Sequence, residues 1–213
     1  MWGRDYFQQA RLYLILDTGV LDEPALLERL KEAVRGGVDV VQLRNKNMPS
    51  VRQSLVFARR VRRILRGRIP FIVNDRIDLA LAAGADGVHL GQEDLPLEWA
   101  RRIMGPRAVV GISCQTLAHA RRAGDAGADY IGLGSVFPTL TKPERQAMDR
   151  ALLSRVLRQA APPVFAIGGI DSTNIASLAA AGVARVAVTR AILLSGDVRG
   201  TIRALRQALA DVS

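Results

Sequence analysis

The sequence predicts a single (β/α)8 TIM barrel, an α/β fold spanning residues 1–213 as one domain. Three observations lead there. A segment of the form glycine, two turn-type residues, then an apolar run recurs four times, and candidate strands and helices alternate throughout. The chain has 213 residues, 49% of them hydrophobic, enough for one core and too few for two ordinary ones. A barrel of this length has to be compact, because roughly 200 residues is the lower end for the architecture.

The four copies are Gly37-Val38-Asp39-Val40-Val41-Gln42-Leu43-Arg44, Gly84-Ala85-Asp86-Gly87-Val88-His89-Leu90-Gly91, Gly127-Ala128-Asp129-Tyr130-Ile131-Gly132-Leu133-Gly134 and Gly182-Val183-Ala184-Arg185-Val186-Ala187-Val188-Thr189. Each follows an Ala/Leu/Arg-rich stretch with helical periodicity. Glycine suits the position just past a helix, where the backbone turns left-handed, and the short β-branched run after it suits a buried strand. Residues 12–17, 70–74, 108–113 and 163–168 supply the four other strands. Helices are expected over 23–36, 50–66, 76–84, 97–104, 116–126, 147–160, 172–181 and 191–210. Strict alternation implies a parallel sheet. Eight units favour closure, and no early Gly-x-Gly-x-x-Gly turn argues for an open dinucleotide fold.

Composition narrows the function. The one cysteine, Cys114, excludes an internal disulfide and a cysteine-based zinc cage. No apolar run is long enough to span a membrane, and Met1-Trp2-Gly3-Arg4-Asp5-Tyr6 lacks a signal-peptide stretch. A soluble, cytoplasmic protein is expected, with no membrane partner and its oligomeric state open. The formal charge of +10 points to anionic partners. Its arginines are scattered along helices (Arg59-Arg60, Arg62-Arg63, Arg101-Arg102, Arg121-Arg122) without interleaved aromatics, so a field attracting small phosphorylated substrates is preferred to nucleic-acid binding.

Active sites of this fold sit at the C-terminal ends of the strands, so polar residues there are read for chemistry. Arg44 and Lys46, after the second strand, suit phosphate oxygens, although a solvated basic loop would look the same. Asn74-Asp75 follows the third strand and Gln92-Glu93-Asp94 the fourth. Asp75 and Asp94 could share a hard divalent ion; each alone could equally cap the next helix. Ser113 could donate to a phosphate, while Thr116 suits a cap. Ser135 to Lys142 places hydroxyls and an ammonium on a proline-shaped loop. Gly168-Gly169 and the Thr189-Arg190-Ala191 turn offer backbone N–H groups to a phosphate. His89 could reach the barrel mouth or be a buried hydrogen-bonded residue. His119 is expected at the surface of a helix, and Cys114 as a small apolar side chain.

The strings VVQLRNK, VNDRIDLALAAGADGVHLGQEDLP, VVGISCQT, GADYIGLGSVFPTLTKP and VFAIGGI resemble those of the thiamine phosphate synthase family, from about Leu12 to Leu193. The family joins an aminopyrimidine, carried as its pyrophosphate ester, to the ring nitrogen of a thiazole phosphate; Mg2+ is required. The resemblance implies that Asp75 and Asp94 hold Mg2+. It implies that Arg44, Lys46, Asn74, Ser113 and Lys142 bind the pyrophosphate, with Arg44, Lys46, Ser113 and Lys142 the catalytic set, and that Gln42 contacts the pyrimidine. Thr139, Thr141, Gly169 and the Thr189–Arg190 turn would hold the thiazole phosphate. A dissociative path through a pyrimidine cation is implied, which needs charge stabilisation and alignment rather than a nucleophile. The chain departs from the family pattern at RNKN, where an acid is common, at Ser135 and at Arg190. Two alternatives remain: a thiazole tautomerase, which typically has a histidine at the place of Ser135, and a non-catalytic barrel binding a phospho-ligand.

Overall fold

Eight parallel strands follow one another in chain order around a closed barrel in the computed structural model, which describes residues 2–47, 50–139, 146–210 and 212. They are β1 (Leu12–Asp17), β2 (Val40–Arg44), β3 (Phe71–Asn74), β4 (Gly87–Leu90), β5 (Val109–Cys114), β6 (Tyr130–Gly134), β7 (Val164–Ile167) and β8 (Val186–Val188). Closure is made where β8 pairs with β1, Leu12 opposite Val186 and Leu14 opposite Val188. The helices are α1 (Arg4–Gln9), α2 (Glu23–Gly36), α3 (Val51–Leu65), α4 (Ile77–Ala83), α5 (Leu97–Met104), α6 (Leu117–Asp125), α7 (Arg150–Gln159), α8 (Ile175–Ala180), α9 (Arg190–Leu193) and α10 (Val198–Leu209). The expected barrel is the observed one.

Two elements differ from expectation. The helix expected over 191–210 is two helices, because Asp197 accepts a hydrogen bond from Gly200 N at 2.8 Å and caps a new start there. The short helix α1 was not expected; six residues are too few for a helical period to show.

The repeat has a structural meaning beyond its glycine, whose φ is positive in all four copies. The aspartate two residues on pins the start of a preceding strand. Asp39 accepts from the N–H of Leu12 at 2.9 Å, Asp86 from Phe71 at 2.8 Å and Asp129 from Val110 at 2.7 Å. Each carboxylate also meets a helix arginine: Arg206 at 2.9 Å, Arg62 at 2.7 Å and Arg101 at 2.9 Å respectively. These charge-assisted braces tie helix, turn and strand together at the N-terminal face of the barrel. In the fourth copy Ala184 stands in the aspartate's place, and neighbouring Arg185 donates instead to the carbonyl of Gln8 on α1.

Alternation along each strand separates two cores. Outward residues such as Leu12, Leu14, Leu16, Val41, Leu43, Val88 and Leu90 pack under the helices. Inward residues Tyr13, Val40, Ile72, Val109, Tyr130, Phe165 and Ala187 fill the barrel interior together with Phe7 of α1. Phe7 is fully buried and stacks on Tyr130 with ring centroids 4.7 Å apart, so α1 plugs the base of the barrel. Phe7→Ala is expected to cost about 3–5 kcal/mol, the range for losing a buried phenylalanine. Urea titration checks this: the midpoint should fall with the slope unchanged.

Candidate active site

Above the aromatic floor the inward-facing residues turn polar. Gln42, Asn74, His89 and Ser113 come from β2 to β5, and with Tyr13, Tyr130 and the loops beyond β6, β7 and β8 they line a cavity of about 380 Å³. Glycines make the room. A Cβ at Gly111 would run into the Tyr130 ring, and one at Gly132 would lie 3.2 Å from His89 Cε1. His89 is both things that its sequence position allowed, buried and at the cavity wall, with Nδ1 3.1 Å from the Tyr130 hydroxyl and Nε2 2.9 Å from Ser113 Oγ.

The basic residues of the RNKN string are held by carboxylates from adjacent strands. Arg44 meets Asp17 at 2.7 Å, and Lys46 meets Asp75 at 2.8 Å. Asp17 is 1% exposed and also accepts from Gly19 N at 2.9 Å, so β1 supplies the acid that the string itself lacks. Arg44 lines the cavity, aimed and partly dehydrated.

The capping alternative for the two candidate metal ligands does not hold. Helix α4 begins after Arg76 and α5 after Pro96, and neither start receives a side-chain cap from Asp75 or Asp94. Asp94 instead accepts from Gly91 N at 2.6 Å, folding its carboxylate back over the β4 loop. Asp75 takes φ of 63°, a left-handed conformation that aspartate tolerates better than most side chains. The Asp94 carboxyl is held above its ordinary range, chiefly by burial; the Gly91 N–H opposes this, the neighbouring Asp75 adds to it, and Lys46 offsets part. Among the described residues no three His, Cys, Asp or Glu gather into a cage. Two adjacent carboxylates whose like charges conflict are nevertheless the donor set that Mg2+ uses together with substrate phosphates.

On the opposite wall, the loops after β6 and β7 interlock. Phe137 N donates to Gly168 O at 3.1 Å, and Val136 N to Ile167 O at 2.9 Å. Gly168 and Gly169 both have positive φ; a Cβ on Gly168 would meet Ser135 Oγ at 2.7 Å, and one on Gly169 would strike the Pro138 carbonyl. Docking of the β6 loop therefore demands these glycines before any phosphate does. Asn174 braces the turn, donating to Gly169 O at 2.7 Å and accepting from Asp171 N at 3.0 Å. Thr139, Thr189 and Arg190 line the cavity beside this turn, and α9 starts there with first-turn N–H groups that lack helical acceptors. Thr141 and Lys142 lie outside the described residues.

Comparison with known proteins settles the family. The profile described as thiamine monophosphate synthase matches residues 12–192. The chain belongs to this family. A thiamine-phosphate synthase of Clostridium novyi is 43% identical over 92% of this chain and 96% of its own length. One of Gloeobacter violaceus is 47% identical over 88% of this chain but only 54% of its own, so the chain spans about half of that longer relative. The solved thiamine phosphate pyrophosphorylase of Pyrococcus furiosus superposes with a TM-score of 0.85 at 36% identity, covering 97% of this chain and 98% of that one. The family is one of transferases in thiamine biosynthesis.

Within this family member, Gln42, Arg44, Asn74, Ser113, Thr139, Gly169, Thr189 and Arg190 do converge on one cavity. Lys46, Asp75 and Asp94 form a cluster of charges beside it. Cys114 is buried facing the helices with its thiol pushed up to about 12 by burial, so it offers no thiolate. Thr116 caps α6 through His119 N at 3.1 Å, as its type suggested. Residues missed from the sequence are Asp17, Tyr13, Tyr130, Phe165 and Asn174. Asp17 carried a legible signal, an acid ending a barrel strand. The Asp94 arrangement yields a prediction. A carboxyl whose folded pKa is raised binds its proton more tightly in the folded than in the unfolded state, so stability falls as pH rises through that window. In metal-free buffer, Asp94→Asn should flatten this decline and leave the melting temperature at pH 7 equal or higher, read by thermal scans from pH 4 to 8.

Proposed function

We propose that this chain joins a hydroxymethylpyrimidine pyrophosphate to a thiazole phosphate in a Mg2+-dependent reaction, in the cytoplasm, giving thiamine phosphate and pyrophosphate. What supports this reading is one cavity whose polar side chains and backbone N–H groups gather on two opposite walls, which we read as two anion sites. Arg44, Lys46, Asn74 and Ser113, with the Asp75–Asp94 pair, make the first site. The Gly168–Gly169 turn, Thr139 and the start of α9 make the second.

Asp75 and Asp94 would hold Mg2+, which when bound supplies positive charge against the pyrophosphate oxygens. Arg44 is preorganised by Asp17 to add charge-assisted hydrogen bonds to the departing group. Ser113 and His89 have the 2.9 Å spacing of a nucleophile–base pair. The far nitrogen of His89 lies 3.1 Å from the Tyr130 phenol, whose pKa burial raises, so this contact is with a neutral hydroxyl and not with the carboxylate of a Ser-His-Asp arrangement. Departure of pyrophosphate from the pyrimidine methylene carbon leaves a cation stabilised by the ring. The second site then aligns the thiazole nitrogen to form the new C–N bond, and the aromatic floor of Tyr13, Tyr130 and Phe165 keeps water from competing for the cation. No membrane partner is required, and no described helix is long and apolar enough to cross one.

Incubation with both substrates and Mg2+, read by mass for thiamine phosphate, tests the reading directly; no product in Mg2+ with both substrates present would overturn it. Asp75→Asn and Asp94→Asn should each lower turnover on the order of 10²-fold or more, since a neutral ligand replaces a charged one. Near-normal turnover of either variant at limiting Mg2+ would remove that carboxylate from the metal site.

A further inference from the structure

Five side chains from five strands form one unbroken hydrogen-bonded chain across the cavity floor. Gln42 Nε2 donates to the Tyr13 hydroxyl at 2.9 Å, and the Tyr13 and Tyr130 hydroxyls lie 2.8 Å apart. Tyr130 reaches His89 Nδ1 at 3.1 Å, and His89 Nε2 reaches Ser113 Oγ at 2.9 Å. The chain is built rather than incidental. Phe7 stacks beneath the Tyr130 ring, Gly111 keeps space for that ring which a Cβ would invade, and Gly132 lets the His89 ring sit close to its backbone, 3.2 Å from where a Cβ would lie.

A buried phenol has one proton to donate, so such a chain runs in one direction or in the other. With Gln42 donating, Tyr13 gives its proton to Tyr130 and Tyr130 gives its own to His89 Nδ1. His89 then carries its proton on Nε2 and donates to Ser113, whose hydroxyl is left to donate into the cavity. At the far end the Gln42 carbonyl oxygen is left as an acceptor. In the reverse direction every role inverts: Ser113 donates inward to His89, and Gln42 presents its NH2 to the cavity.

We propose that Tyr13, Tyr130 and His89 are positioning residues that couple the two ends of the pyrimidine substrate, so that an anion accepting from Ser113 sets Gln42 as an acceptor selective for an amino group on the ring. This rests on the functional reading above, which places pyrophosphate at Ser113 and the pyrimidine at Gln42. The anion selects the first direction because it can only accept. The Gln42 oxygen then favours an amino-bearing pyrimidine and rejects an oxo-bearing one, which would set two acceptors against each other. The same direction leaves His89 Nε2 protonated, unable to take the Ser113 proton, so the serine stays an anion donor and not a nucleophile.

Calorimetry with two fragments tests the coupling: inorganic pyrophosphate with Mg2+, and the aminopyrimidine alcohol. In the wild-type protein each should tighten the other about 5-fold or more, within the usual span of coupling between sites. The oxo analogue of the alcohol should gain nothing from pyrophosphate. In Tyr130→Phe the coupling factor should fall to near one while pyrophosphate alone still binds. A wild-type factor near one, or a factor preserved in Tyr130→Phe, overturns the proposal. Failure of either fragment to bind the wild-type protein alone overturns the functional reading and the proposal with it. A second measurement needs no change to the relay. The chain has two histidines, so 15N-histidine NMR, assigned with His119→Gln, reads the His89 tautomer directly. Saturation with pyrophosphate and Mg2+ should give the Nε2–H form, and the Nδ1–H form in the saturated protein overturns the proposal.

Discussion

A closed parallel barrel has no edge, so every polar side chain that points inward has to find its partners inside the barrel. Much of the interior follows from that constraint. Part of the interior avoids the problem: Val40, Ile72, Val109 and Phe165 present no polar side-chain atoms, and Phe7 seals the end. Among the inward polar residues, Tyr13, Gln42, His89 and Tyr130 satisfy one another, each hydrogen bond using a group that would otherwise cost free energy when buried. At the C-terminal rim, where solvent and substrate arrive, full charges line the mouth, and there Asp17 and Asp75 partner Arg44 and Lys46.

The distribution of charge follows the same logic. Removing Asp17 would leave Arg44 without its partner at a site where both are partly or wholly dehydrated, which is the costly way to break an ion pair. Keeping it holds the guanidinium in one orientation before substrate comes, so little rearrangement is needed as charge builds on the leaving group. The remaining arginine excess lies largely on the outer helices, where exposed pairs such as Arg60–Glu23 add little to stability but contribute to a long-range field that favours phosphorylated ligands.

The barrel was legible because its period was written in local chemistry. Four glycine stops, β-branched runs of strand length and an unbroken alternation of helix and strand leave few topologies open. Site residues at strand ends were legible for the same reason, since the fold assigns that edge to function. The interior relay was not. Tyr13 and Tyr130 sit in the middle of apolar strands, and nothing local distinguishes a tyrosine that completes a polar chain from one that fills a core. Their partners lie 29 and 41 residues away. Asn174 was hidden likewise, because its side chain acts on backbone that looks like an ordinary turn. The paired glycines were seen, but their immediate reason, the close seat of Phe137 and Pro138, depends on how two loops meet.

The missing aspartate of the fourth repeat has a bearing on assembly. A ring built of four interchangeable quarters could close on any of them, or trade a quarter with a second molecule, with little difference in energy between the outcomes. Here three quarters carry the same carboxylate clip and one does not. Where Ala184 stands, Arg185 grips the end of α1 instead, and α1 inserts Phe7 into the opening. The odd quarter thus marks the seam: beyond its pairing with β7, the last strand closes on β1, the chain's own first strand, and the ring has one place to start and one way to finish.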